Sequence, residues 1–246
     1  AGFTVADLDT ASFDALKAKN GALCGSAVSN DESVFSAVTR VLRSIGGWIV
    51  PDGQGVFSVG RLELPTGAPI AAFEEWQCRG RIERLAPSDA NRGVPAYRIV
   101  VRYGQLGRVQ GDNEVAGAVS AERRAALALE WRQEAAENAA VKTRYLHAQE
   151  MTFDTCLVLA ADAQAEAQRL LAIYSARREV WRINVDMAGL DYRVDFGVGE
   201  PFAMQIGLGR TVTLFVERFL NPARSFVVIG RTEDCVSDRI QFDLWG

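Results

Sequence analysis

The chain has 246 residues, enough for one large domain or two small ones. It is 48% hydrophobic and 24% charged, with a net charge of -4, a balance that is ordinary for a globular chain rather than a disordered one and offers no basic surplus for nucleic acid. No apolar run reaches the roughly 18 residues of a membrane span, and the N-terminus lacks the basic and apolar regions of a signal peptide.

Phe13 to Gly21 reads as a short helix closed by Gly21, and Ala22 to Ser29 as a small apolar strand. Asn30 or Asp31 is expected to cap the next helix, whose Val34, Phe35, Val38, Val41, Leu42 and Ile45 recur at helical spacing. Gly46-Gly47 stops it. Trp48 to Pro51 and Val56 to Leu64 flank Asp52-Gly53, a strong hairpin signal. Residues 73–86 are ambiguous, with Ile82 to Leu85 extended, and Pro87 to Pro95 reads as a polar loop. Tyr97 to Tyr103 is the cleanest strand of the first half.

Residues 105–119 read as an exposed loop. Ser120 then caps an alanine-rich helix expected from Ala121 to Glu137, with a continuation toward Leu146. Met151 to Leu159 is apolar and mixed. Asp162 to Tyr174 is a second strong helix, and Val180 to Val185 alternates as a strand. A strand and a glycine-rich turn are expected within 190–207. Three β-type runs close the chain, at 211–216, 225–231 and 239–244. A chain ending on a strand has that end tied into a sheet.

These elements predict an α+β fold in which antiparallel β-rich subdomains with amphipathic helices are bridged by an alanine-rich helical segment. The segments expected are 1–104, 105–160 and 161–246. The chain begins Ala1-Gly2-Phe3 without methionine, which predicts a processed product or a C-terminal piece of something longer. Leu244-Trp245-Gly246 reads as its true C-terminus.

The search for chemistry is negative. His147 is the single histidine and follows the alanine-rich segment, where a capping or surface role is the expectation. No Gly-x-Ser-x-Gly elbow, phosphate loop or dinucleotide fingerprint occurs. Cys24, Cys78, Cys156 and Cys235 lie too far apart for a local zinc motif. They are expected to be buried free thiols of a chain made in a reducing cytoplasm, though two disulfides stay open. Arg123-Arg124 and Arg177-Arg178 are read as solvated helix faces. Glu74-Glu75 is the obvious carboxylate pair, but neighbours on a strand point to opposite faces. Trp48, Trp76, Trp131, Trp181 and Trp245 each lie in an apolar pattern and are expected in the core. No catalytic, cofactor-binding or metal-ligating residue is assigned, and the expectation is a protein that is not an enzyme.

Several segments, in order, resemble a family of tail proteins from phages and prophages of proteobacteria, related to tail hub or baseplate proteins. Val41 to Pro65 is similar to the family's helix and hairpin, and Val94 to Tyr103 to the strand after it. Ala118 to Arg124 and Ala161 to Arg178 resemble its two helices. Leu208-Gly209, Arg218-Phe219, Phe226 to Gly230 and Leu244 to Gly246 resemble its ending. The likeness covers roughly residues 20–246, and its motifs are structural glycines, prolines and β-patterns. One departure is Leu220-Asn221-Pro222-Ala223-Arg224, where a compact turn is the family's habit.

The resemblance implies a structural virion component of the tail, made in the bacterial cytoplasm, with other tail proteins as partners and no cofactor. It also implies a homo-oligomer, a trimer being common in such hubs. Two other readings are kept. A carbohydrate-binding module needs a groove with two or more exposed tryptophans, Trp48, Trp76 and Trp131 being the candidates. A cell-wall hydrolase would use Glu74 or Glu75 and would lose its lysis of peptidoglycan in Glu74→Gln and Glu75→Gln variants.

Overall fold

A computed structural model of the protein describes residues 4–28, 32–51, 55–86, 93–186 and 206–246. Its contacts divide the chain into two units, each made of two stretches. One joins Ala1–Arg61 to Val94–Ala176, and the other joins Leu62–Gly93 to Arg177–Gly246. The segment ends expected at 104 and 160 both fall inside the first unit.

In the first unit, helix α1 (Thr10–Lys19) starts at Asp9, whose carboxylate accepts the Ser12 N–H. It ends at Asn20 in an extended conformation rather than at a left-handed Gly21. Helix α2 (Val34–Arg43) is capped by Ser33, whose hydroxyl accepts the Ser36 N–H. The expected caps Asn30 and Asp31 lie outside the described residues. Gly46 turns the chain at φ 66°, where a side chain would be strained. Strands β1 (Gly47–Pro51) and β2 (Phe57–Arg61) then pair antiparallel, with the expected turn at Asp52-Gly53 outside the described residues. Trp48 faces Gly60 across this pair, and a Cβ at Gly60 would come within 2.2 Å of the indole. Glycine is there to receive the ring.

Strand β5 (Arg98–Tyr103) is the centre of a three-stranded sheet, with β6 (Arg132–Glu137) antiparallel on one side and β7 (Glu150–Asp154) parallel on the other. Helix α3 (Ala121–Leu127) and helix α4 (Ala139–Arg144) flank β6. The long alanine-rich helix is therefore not formed, because residues 132–137 are a strand. Helix propensity differs by only a few tenths of a kcal/mol per residue among such side chains. The open side of β5 supplies six backbone pairings in exchange. The alanines find another use: Ala136 is buried with Ala163 and Ala167 of helix α5 (Ala160–Tyr174), letting helix and sheet approach closely. Ile99, Val101, Met151, Leu157 and Leu170 complete this core. On β5 the opposite face carries Arg98 and Arg102, paired with Glu150 and Asp154 along β7.

The second unit holds strands β3 (Ala71–Glu74), β4 (Glu83–Leu85), β8 (Val180–Asp186), β9 (Thr211–Val216), β10 (Leu220–Asp234) and β11 (Arg239–Trp245). They form one sheet in the order β3-β9-β10-β11-β8-β4. The strand and turn expected within 190–207 fall largely on 187–205, outside the described residues. Alternation decides the faces: on β8 Trp181, Ile183 and Val185 are buried, and on β9 Val212, Leu214 and Val216. All of them join one core with Phe226, Ile240, Phe242 and Leu244.

This sheet is strongly curled. Phe73 on β3 and Phe242 on β11 have ring centroids 5.8 Å apart, although β9 and β10 lie between their strands. A flat sheet would separate them by about 14 Å, three strand spacings. The sheet therefore bends around its own apolar face. Its edge strands have only four and three residues, which limits stray pairing.

Candidate functional site

Glu74 and Glu75, the expected acid pair, sit where β3 ends and a single 3-10 turn, Glu75–Gln77, begins. Gln77 Oε1 accepts the Glu74 N–H at 2.7 Å, and the Glu74 carboxylate accepts the Trp76 indole N–H. Glu75 Oε2 accepts the Glu217 N–H at 3.2 Å. The Glu74 carboxylate thus binds a donor within the turn, while the Glu75 carboxylate ties the turn to the chain just after Val216. His147 is exposed in the turn after α4, in keeping with a surface role. Among the described residues no group of three His, Cys, Asp or Glu side chains could hold a metal ion.

The tryptophans divide. Trp181 and Trp245 are buried as expected, while Trp48 and Trp131 are half-buried. Trp76 is 52% exposed, so the core expectation fails there: β3 ends at Glu74 and the 3-10 turn swings the indole outward. The cysteines are all free thiols, but Cys24 and Cys235 are exposed rather than buried. Cys235 follows the last residue of β10, at a hairpin tip, and Cys24 forms a single bridge with Leu157 outside any regular strand.

The side chains that do converge lie at one end of the curled sheet, at the rim of its apolar face. Glu179 precedes β8, and its backbone N–H donates to the Gly246 carbonyl at 2.9 Å, prolonging the β8–β11 ladder. Its side chain falls on the same face as Trp181, whose Nε1 donates to Glu179 Oε2 at 3.1 Å. Arg84 of β4 stands opposite Trp181 in the register and reaches Glu179 Oε1 at 2.9 Å. Arg224 of β10 stands opposite the fully buried Leu214 and donates to Glu179 Oε2 at 3.3 Å. Its guanidinium lies 5.6 Å from the Phe226 ring centroid. The pairing of β10 with β9 is irregular between Leu220 and Arg224, and the register beyond it sets Arg224 opposite Leu214.

Two further residues border the cluster. Phe219 is 68% exposed, and its ring lies 6.2 Å from the Trp181 centroid. Arg178 covers the Trp245 ring at 5.3 Å. Burial, and then the neighbouring Arg224 charge, lower its pKa below the usual arginine value. The expectation that Arg177-Arg178 lies on a solvated helix face is corrected here: α5 ends at Tyr174, and Arg178 packs on an aromatic ring just before β8.

None of these residues was singled out as a site by sequence reasoning. Arg84, Glu179 and Arg224 are 95 and 45 residues apart in turn, so no local motif could reveal them.

No protein-family model matches this chain, and no characterised protein matches it by sequence. Solved structures do match. The tail protein from Neisseria meningitidis MC58 superposes with a TM-score of 0.55 and 14% identity over 91% of this chain and 58% of its own. The chain shares its fold with a tail protein. A chain from the virion of a native gene transfer agent particle superposes with a TM-score of 0.53 and 16% identity over 89% of this chain and 40% of its own. This chain thus spans 58% and 40% of the lengths of these two structures. At such identities the likeness is one of fold.

Proposed function

We propose that this chain is a structural component of a phage or phage-like tail, in the hub or baseplate region, and that it works by assembly. The observation that carries this reading is the fold shared with the Neisseria tail protein along nine-tenths of the chain. The acid pair has a structural use in keeping with this reading, since the Glu74 carboxylate accepts the Trp76 indole N–H and the Glu75 carboxylate the Glu217 backbone N–H.

On this reading the partners are other tail proteins and further copies of the chain, with a trimer as the working oligomer. Interfaces in lasting assemblies bury roughly 2,000 Å² or more, so exposed aromatic and charged side chains on a rigid frame are the parts to watch. Mass spectrometry of gradient-purified particles should recover the chain in stoichiometric proportion to other tail proteins. Its absence from clean particles would remove the proposal. Sedimentation of the purified chain tests the oligomer, and a strict monomer at every concentration would remove the trimer.

A further inference from the structure

The rim over the second unit's core is a continuous strip with two kinds of chemistry. At one end stands the exposed Phe219 ring, backed by Trp181. At the other stand the Arg84 and Arg224 guanidiniums, both joined to one carboxylate, Glu179. The links run without a break from Phe219 to Trp181, from Trp181 to Glu179, and from Glu179 to both arginines.

The charge count is uneven. Glu179 accepts from Arg84, Arg224 and the Trp181 indole, so its acceptor sites are largely used. Each arginine offers five N–H donors and has one nitrogen on Glu179. Both side chains remain nearly half exposed, at 46% and 43%. Arg178 adds a third guanidinium close enough to Arg224 for their charges to oppose each other. Holding like charges together costs stability, and a carboxylate arriving from outside would relieve it. Packing over Phe226 holds Arg224 in place, so less side-chain freedom is lost on binding.

We propose that this rim docks an acidic protein segment from a tail neighbour, with a carboxylate seated between Arg84 and Arg224 and an adjacent apolar side chain against Phe219. The proposal rests on the assembly reading above. Aromatic side chains and arginine are enriched at protein interfaces relative to the rest of the surface.

The test uses the full chain and a synthetic peptide of alternating Glu and Leu, with binding followed by calorimetry. A Gln-for-Glu peptide and inorganic phosphate are the comparison ligands. The proposal expects the Glu peptide to bind, to weaken with added salt, and to outcompete phosphate. The Arg84→Ala/Arg224→Ala variant should lose affinity roughly tenfold. Phe219→Ala, a change at an exposed position, should lose a few-fold and keep its circular dichroism. Equal binding of the Gln peptide, full displacement by phosphate, or unchanged affinity in Phe219→Ala and the double variant would each overturn it. So would failure of the Glu peptide to bind the unaltered chain. Particle incorporation separates the two claims. If the unaltered chain and the folded double variant enter particles equally, the docking proposal fails while the assembly reading stands. If the unaltered chain is absent from particles, the assembly reading fails.

Discussion

Glu166 and Arg169, one turn apart on α5, form a two-pronged ion pair inside the first unit: Nε to Oε2 at 2.8 Å and Nη2 to Oε1 at 2.6 Å. Glu166 is only 3% exposed. Arg169 Nη2 also donates to the Ile45 carbonyl at 3.2 Å, and a Cβ at Gly46 would lie 2.5 Å from that same nitrogen. The pair therefore ties α5 to the turn between α2 and β1, and the turn must be glycine both for its φ and for the guanidinium.

Removing Arg169 leaves Glu166 buried without its cation. Arg169→Ala should destabilise the protein by about 3–5 kcal/mol, the usual cost of breaking a buried pair from one side. Gly46→Ala should cost more than about 1 kcal/mol through strain and crowding together. Urea unfolding followed by circular dichroism measures both. A loss below about 0.5 kcal/mol for Arg169→Ala, the range of featureless surface substitutions, would show that the tie is not needed.

Phe242 is fully buried and meets Phe73 across the curl of the second sheet. Phe242→Ala should lower stability by about 3–5 kcal/mol, whereas Phe242→Leu should recover most of the loss. Thermal unfolding checks this. Equal stability of the two variants would contradict the curled-sheet core.

The cysteines should differ sharply as nucleophiles. Cys78 packs against the second unit's core and its Sγ donates to the Glu74 carbonyl at 3.6 Å. Burial, with a smaller contribution from the Glu75 charge, pushes its pKa up to about 12. At pH 8 such a thiol is ~0.01% thiolate, and only the thiolate reacts. An aromatic disulfide reagent should label exposed Cys235 at once and leave Cys78 untouched until urea unfolds the protein. Rapid labelling of Cys78 in the native state, located by peptide mass, would contradict its placement.

At the β10–β11 tip, Asp234 accepts from the Ser237 hydroxyl, the Ser237 N–H and the Val236 N–H. These bonds, the hydroxyl first, hold its pKa below the ordinary carboxylate value. A lowered folded-state pKa means that the tip is favoured above the ordinary carboxylate range. That advantage is lost as pH falls through the folded pKa. Carboxyl carbon shifts in an NMR titration should place the Asp234 pKa below the ordinary aspartate value, and the Ser237→Ala variant should bring it back toward that value. An ordinary pKa in the unaltered chain would mean that the tip is open in solution.

Much of the α+β frame was legible because its signals are local. The apolar spacing of α2 and α5, the Asp52-Gly53 hairpin signal and the alternation of β8, β9 and β11 all repeat within a few residues. The strand at 132–137 was not legible, since Arg-Gln-Glu-Ala-Ala-Glu carries helix formers and its partner β5 lies some thirty residues upstream. The rim was hidden for a related reason. Arg84, Glu179 and Arg224 meet only because β4, β8 and β10 are placed by a sheet whose strand order departs from chain order.

The measurement that bears most directly on the central claim is electron microscopy of purified particles labelled with a gold-conjugated antibody to this chain. The account predicts gold at one end of the tail, where a hub or baseplate lies. Particles that carry no gold, alongside a positive blot for the chain in the same lysate, would contradict it.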